Sequence, residues 1–396
     1  MKNMLCFLIF LWISSSYGQQ ETENTFGNGL INITARDSSY SAEMGLRMQT
    51  LFTTDWSLSH AGDFGEAQPS LMIRRARLKF EGFAYSPRLR YKLQLGLSNR
   101  DMGGISDFTS DAPRFILDAV LKWKIAPHLD LWVGQTKLPG NREQLISSGS
   151  LETVDRSLVN SRFNLGRDIG IQLHHEHYLG PRFLVRESFS IAQGEGRNVT
   201  VGNLGGFQYT GRLEILPMGD FAAYKGADLQ REKDPKLAVG ISYDYNDDAV
   251  RAESNSGPFL YLGEDFFETD ITTFFADAIF KYNGISVMAE YANRNAEHLE
   301  VFTEDGTPTG RTIFAGDGFN IQGSYLFRNN IQLVGRYTTI DLDDELSQLV
   351  EDQYTLGLSK YLVGHNLKIQ TDLSYRDLNM ELLDNLLYRL QVELQF

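Results

Sequence analysis

The sequence predicts an all-β fold, a transmembrane antiparallel β-barrel of about sixteen strands with short periplasmic turns at one end and long outer loops at the other. Three observations predict it. Side chains alternate with a period of two, loop lengths alternate as well, and an export leader precedes a chain with no membrane-spanning helix.

The leader comes first. Lys2, an apolar run over 4–13 and then Ser14, Ser15, Ser16, Tyr17 and Gly18 give a charged start, an apolar middle and small residues before a cut after Gly18, so residues 1–18 read as a signal peptide. The run is too short for an anchor. Cys6, the single cysteine, falls inside it, so the exported chain has neither disulfide nor cysteine-based metal site. Residues 19–42 follow as an N-terminal periplasmic segment with a short strand at 30–34, and the barrel occupies 43–396.

Barrel strands are expected at 43–54, 72–85, 88–98, 114–126, 129–136, 168–178, 182–193, 207–216, 236–245, 271–282, 285–294, 316–327, 330–341, 351–361, 365–376 and 386–396. Most are near the roughly 9 to 11 residues that a tilted strand needs to cross a bilayer. Tight turns stand at Ser86-Pro87, Ala126-Pro127, Leu179-Gly180-Pro181, Asn283-Gly284, Asn329-Asn330 and Val363-Gly364, with long polar loops between them. The connection 217–235 breaks the pattern, being long on the short-turn side. A soluble sandwich has no reason to segregate loop length in this way, which decides between the two readings of a period-2 sheet. The last strand alternates without error, Tyr388, Leu390, Val392, Leu394 and Phe396 against Arg389, Gln391, Glu393 and Gln395. A final strand ending on Phe396 resembles the closing strand of bacterial outer-membrane barrels, which implies recognition by the barrel-assembly machinery.

In such a barrel the lipid face is apolar, so alternation names the lumen side chains. Arg75, Arg77, Lys79 and Glu81 point inward opposite Ala76, Leu78 and Phe80, and Arg88, Arg90 and Lys92 do so opposite Leu89, Tyr91 and Leu93. Lys122 and Lys124 extend the column, and Arg182, Arg186, Arg212, Arg336, Lys368, Arg376 and Arg389 follow on later strands. Inward acids are fewer, Glu81, Asp118, Glu214, Asp372 and Glu393. The third long loop, 137–167, has helix-compatible stretches and carries Lys137, Arg142, Arg156 and Arg162, which makes it the expected constriction. The formal charge of -14 lies mainly in loops, in Asp244, Asp247, Asp248, Glu253, Glu264, Asp265, Glu268 and Asp270 and again in Asp341, Asp343, Asp344, Glu345, Glu351 and Asp352. It excludes a nucleic-acid binder. The 341–345 stretch lacks the glycine and spacing of a calcium loop. His174, His175 and His177 form the one histidine cluster; His175 and His177 share a face with Ile171 and Leu173 near a turn, the ordinary place for interfacial histidine, and no serine motif accompanies them. No catalytic residue, cofactor or metal site is expected.

Four runs carry a resemblance that spans nearly the whole exported chain, in order. They are Arg74-Arg75-Ala76-Arg77-Leu78-Lys79, Gly134-Gln135-Thr136-Lys137-Leu138-Pro139, Gly166-Arg167-Asp168-Ile169-Gly170-Ile171-Gln172 and Arg231-Glu232-Lys233-Asp234-Pro235-Lys236-Leu237-Ala238-Val239-Gly240. Together they resemble the phosphate-selective porin family, O and P type. The resemblance implies a sixteen-stranded outer-membrane barrel, a homotrimer, an inward third loop and basic rows guiding phosphate or polyphosphate, with Arg75, Arg77 and Lys79 matching the family's basic strand. Beyond the first few strands the rows here are interrupted. The expected function is therefore passive, anion-preferring diffusion of small inorganic anions across the outer-membrane lipid; the alternative is a structural or secretion-associated barrel without phosphate selectivity.

Overall fold

The computed structural model describes residues 26–27, 29–59, 63–102, 108, 114–262, 265–303, 305–343, 350–379 and 384–396. The leader expected over 1–18 lies outside them, as do Glu264, Asp344 and Glu345 of the acidic loops.

Sixteen strands form one closed antiparallel barrel: β1 Ser41–Leu58, β2 Gln68–Ala84, β3 Ser86–Gly96, β4 Ile116–Ala126, β5 Leu129–Lys137, β6 Arg167–Tyr178, β7 Leu184–Ala192, β8 Gln208–Leu216, β9 Lys236–Ala249, β10 Thr269–Tyr282, β11 Ile285–Ala296, β12 Gly316–Leu326, β13 Ile331–Leu342, β14 Val350–Val363, β15 Leu367–Asn379 and β16 Asp384–Gln395. Each pairs with the next, and β16 returns to β1 with Arg47 opposite Gln395 and Leu58 opposite Asp384, so no edge is left open. The short strand Ile31–Thr34 pairs with the start of β1 outside this count. Two short hairpins, Tyr261–Leu262 with Asp265–Phe266 and Glu300–Phe302 with Pro308–Thr312, rise from the loop end.

Burial is inverted relative to a soluble protein. Outward Leu121, Trp123, Ile171, Leu356 and Val392 are exposed, whereas inward Lys368, Gln370, Asp372, Gln391 and Glu393 are almost fully buried. A water-facing protein hides its apolar side chains and keeps unpaired charges out. Here the apolar surface faces outward as a band, as lipid requires.

Strict alternation fails at one place that matters. Across β1 and β2 the register steps from Gln49 opposite Arg75 to Thr50 opposite Ile73, so Arg74 is the extra residue of a β-bulge. Arg74 and Arg75 both reach Asp155 from this bulge, while Leu71 and Ile73, 72% and 63% exposed, turn to the lipid side. The same strands also run further toward the loop end than the sequence pattern implies, β1 to Leu58 and β2 from Gln68. Seven residues counted with the acidic loops lie on barrel strands, Asp244, Asp247 and Asp248 on β9, Asp270 on β10, Asp341 on β13 and Glu351 and Asp352 on β14. Of these, Asp244 accepts from Gln208 and Thr210, and Glu351 pairs with Arg162 and Arg376.

Two segments fill the lumen. The third loop carries helices α1 Arg142–Leu145 and α2 Leu158–Phe163 and packs Leu138, Val159, Phe163 and Leu165 against Phe275, Ala292 and Ile340 of the wall. The long connection 217–235 enters from the turn end. Lys281 of β10 donates to the carbonyls of Ala222, Lys225 and Ala227, and Gly226 N donates to Ser150 O at 2.9 Å, so the two segments meet. A Cβ on Gly226 would come within 2.7 Å of the Glu152 side chain and 2.9 Å of Ser150 O, which is why glycine stands there.

Closure ends on Phe396. Its amide donates to Leu46 O at 2.9 Å, and its ring meets Phe26 edge-on with centroids 5.4 Å apart. Deleting Phe396 removes this last rung, and the expected result is a lower yield of folded, heat-modifiable barrel on gels of outer-membrane fractions. An undiminished yield would show that closure does not depend on the terminal aromatic.

Candidate functional site

The third loop is held to one side of the lumen by charges of the wall. Arg142 of α1 is fully buried; its Nε donates to Asp277 at 2.8 Å and its Nη2 to Glu214 at 2.6 Å. Arg212 shares Asp277 at 2.6 Å. The Glu143 carboxylate accepts from Ser157 N and Oγ, tying α1 to the start of α2, where Ser157 Oγ in turn accepts from Asn160 N. At the far end of α2, Arg294 donates to the carbonyls of Arg162 and Phe163, the groups a helix leaves unsatisfied. Between the helices Gln370 and Lys368 donate to Leu151 O, Arg336 donates to Asp155 O, and Asp372 accepts from Val154 N. Glu152 accepts from Ser324, Gln322 and Gln332; burial pushes its carboxyl up, and these donors oppose the rise. Burial also penalises the Asp155 carboxylate, yet Arg75 and Arg74 facing it hold it well below the usual carboxylate range.

All of these anchors except the Asp155 pair lie on β8 to β15, so the loop leaves free space on the opposite side. A cavity of about 400 Å³ remains there, lined from β2 to β8 and by the loop's inner edge. Its bases are Arg77, Lys92, Lys122, Lys137, Arg156, Arg167, Arg186 and Arg212, and its acids are Asp118 and Glu214. Trp132, His174, Gln172, Thr136 and Tyr224 complete the wall. A second cavity of about 470 Å³ opens at the turn end, with Arg90, Lys124, His128 and Asp130, and shares His174, Arg186 and Ser188 with the first. The two adjoin across this shared wall along the basic side of the barrel.

The cations of the two cavities differ in what they face. Arg77 is bidentate to Asp101, Arg90 pairs with Asp130, and Lys92 and Arg167 share the one Asp118. Arg186 meets Glu176, Glu214 and Asp220. In the central cavity three have no ion-pair partner among the described residues. Lys122 stands 3.5 Å over the Trp132 ring, Lys137 donates to the carbonyls of Gln144, Leu145 and Ile146 at the end of α1, and Arg156 donates to the carbonyls of Glu143 and Ile146. Burial lowers the Arg156 pKa to about 10, with Glu143 and Asp155 resisting, so it stays charged.

The residues singled out in the sequence therefore divide. Arg77, Lys92 and Lys122 line the central cavity with Lys137 and Arg156; Arg90 and Lys124 line the turn-side one. Arg75 is buried against Gln49 and Asp155, Lys79 pairs with Glu81, and Arg88 caps the carbonyls of Lys124 and Ile125. Arg142 is an anchor and Arg162 faces Glu351. Trp132 and His174 were missed as lining residues, although the alternation of β5 and β6 already turns them inward with Asp130 and Gln172.

Residues 44–385 match the family described as phosphate-selective porin O and P. No curated protein sequence matches this chain. Among solved structures, the fold is similar to an anion-selective porin from Comamonas acidovorans, TM-score 0.59 at 12% identity, covering 90% of this chain and 100% of that one. It is also similar to the outer membrane channel DcaP of Acinetobacter baumannii, TM-score 0.55 at 12% identity over 93% and 100% of the two chains. OmpT of Vibrio cholerae in a trimer form gives 0.50 at 11% identity over 90% and 100%.

Removing Arg142 leaves Glu214 and Asp277 short of a cation in a buried site, a loss of about 3–5 kcal/mol for pairs of this kind. In Arg142→Gln the loop is expected to leave the wall. Single-channel conductance should change and protease should cut within 140–166, whereas the wild type resists.

Proposed function

The chain belongs to the phosphate-selective porin O and P family, and from that premise we propose that it is a passive, anion-preferring channel of the outer membrane for phosphate and related small inorganic anions. The observation that carries the reading is the make-up of the central cavity, eight bases against two acids in about 400 Å³. A narrow lumen with low-dielectric walls focuses the field of its own lining. The acidic outer loops act through water and are screened within about 8 Å at physiological salt.

The path runs from the loop end past Arg77, Arg156 and Lys137 to Lys92 and Lys122, then past Arg186 to Lys124 and Arg90 at the turn end. Guanidinium forks suit phosphate oxygens in pairs, while lysine acts as a point charge. Because half of these cations already face a carboxylate, an anion is attracted without being trapped, which is what conduction requires. The third loop is the constriction in this reading, the turn end faces the periplasm, and the leader 1–18 directs export. Three copies assemble as a homotrimer, in keeping with the family and with the trimer form of the similar OmpT fold. Nothing here needs a nucleophile or a base, and the reading contains no bond-breaking step.

The test is a reversal potential in a salt gradient, on the channel in a planar bilayer. The wild type should pass Cl⁻ in preference to K⁺ and show reduced chloride current when phosphate is added. Replacing Lys92, Lys122 and Arg156 by Gln should shift the reversal potential toward cation selectivity and relieve the phosphate effect, while Lys360→Gln, on β14 near the turn end and outside the lining of both cavities, should leave both unchanged. A wild-type preference for K⁺ would overturn the reading and leave the barrel intact.

A further inference from the structure

We propose that His175, His177 and Glu187 form a binding site for a late first-row divalent cation, zinc in the first instance. None of the three takes part in the anchoring of the loop. His175 and His177 stand two apart on β6 and so share a face, and Glu187 of β7 lies directly opposite His175 in the register. The arrangement is a ligand pair on one strand completed by a carboxylate from its neighbour.

The distances fit a small metal. His175 Nδ1 lies 2.9 Å and His177 Nδ1 3.6 Å from the same Glu187 oxygen, and one ligand atom from each residue falls within 4.8 Å of the others. Tetrahedral zinc with bonds of roughly 2.0–2.1 Å needs ligand atoms about 3.3–3.4 Å apart. The two measured separations bracket that value, so small side-chain rotations close the site with no movement of backbone. The rings are already stacked, with centroids 5.1 Å apart. His177 Nδ1 is buried and has no hydrogen-bond partner among the described residues, an unusual state for a ring nitrogen and one that a metal would relieve. The side chains as a whole remain 35–44% exposed, so an ion can reach them.

The donor set selects the metal. Two imidazoles and one carboxylate suit zinc, copper or nickel, whereas calcium and magnesium take oxygen ligands. Three protein ligands leave the fourth position to water. Nearby cations do not forbid it: Arg90 is paired with Asp130, and Arg186 with Glu176, Glu214 and Asp220.

The site stands whether or not the channel prefers anions, because its test reads binding alone. Full-length folded protein in detergent, stripped with a chelator, is titrated with zinc chloride by calorimetry. One zinc per chain is expected. His177→Ala and Glu187→Gln should each weaken it on the order of tenfold or more, and His298→Ala, at the loop end, should not. Cobalt(II) should give the intense visible absorption of a four-coordinate ion in the wild type and not in the two variants, whose folding is checked by heat modifiability. No saturable zinc binding in the wild type, variants that bind as well as the wild type, or a weak six-coordinate cobalt spectrum would each overturn the site.

Discussion

No water is present in hydrocarbon to satisfy a peptide group, and a chain that crosses it sixteen times must therefore pair every backbone amide with its own strands. Closure of β16 on β1 is the form this takes here. Its consequence reaches every side chain, because a closed sheet has an outside that must be apolar and an inside that need not be. The inside is large and can be filled only by side chains or by returning chain. This protein uses both, and the returning chain brings its own unsatisfied carbonyls and amides into a place with little water.

That second demand explains where the wall keeps its charge. Lys281, Arg294, Arg336 and Lys368 spend their donors on backbone carbonyls of the two inserted segments, and Asp372 and Glu290 accept from backbone amides. These groups do for the loop what strand neighbours do for the barrel. A buried ion is stable only when paired or hydrogen-bonded on all sides, so the wall and the loop are matched residue by residue. The free space is what the match leaves over, which is why it lies against one side of the barrel and not on its axis.

Much of the wall was legible in the sequence. Alternation placed Arg77, Lys92, Lys122 and Phe396 on their faces, since a period of two is a property of neighbours and survives without knowledge of the fold. What escaped is of two kinds. The bulge at Arg74 adds one residue and sends Leu71 and Ile73 to the lipid side, a register change that only the partner strand reveals. The pairing of charges is the other: Asp101, Asp130 and Asp155 neutralise Arg77, Arg90 and Arg75 from 24 to 80 residues away in the chain. No local pattern records that. The path of the 217–235 segment into the lumen was hidden for the same reason, its anchors being carbonyls held by Lys281 and Ser286 across the barrel.

A basic column and a basic pore are thus different things. Counting cations on β2, β3 and β4 overstates the field a solute meets, because Arg75 is buried behind the loop and Arg77, Lys79 and Arg90 each meet a carboxylate. The residual field comes from Lys122, Lys137 and Arg156, which meet only an aromatic face or carbonyl oxygens, and from Lys92 and Arg167 sharing one aspartate. Three of those five, Lys137, Arg156 and Arg167, belong to the third loop or its roots. The loop therefore sets both the width of the path and the sign of its charge, and a loop anchored elsewhere on the same barrel would give a channel of different selectivity with the wall unchanged.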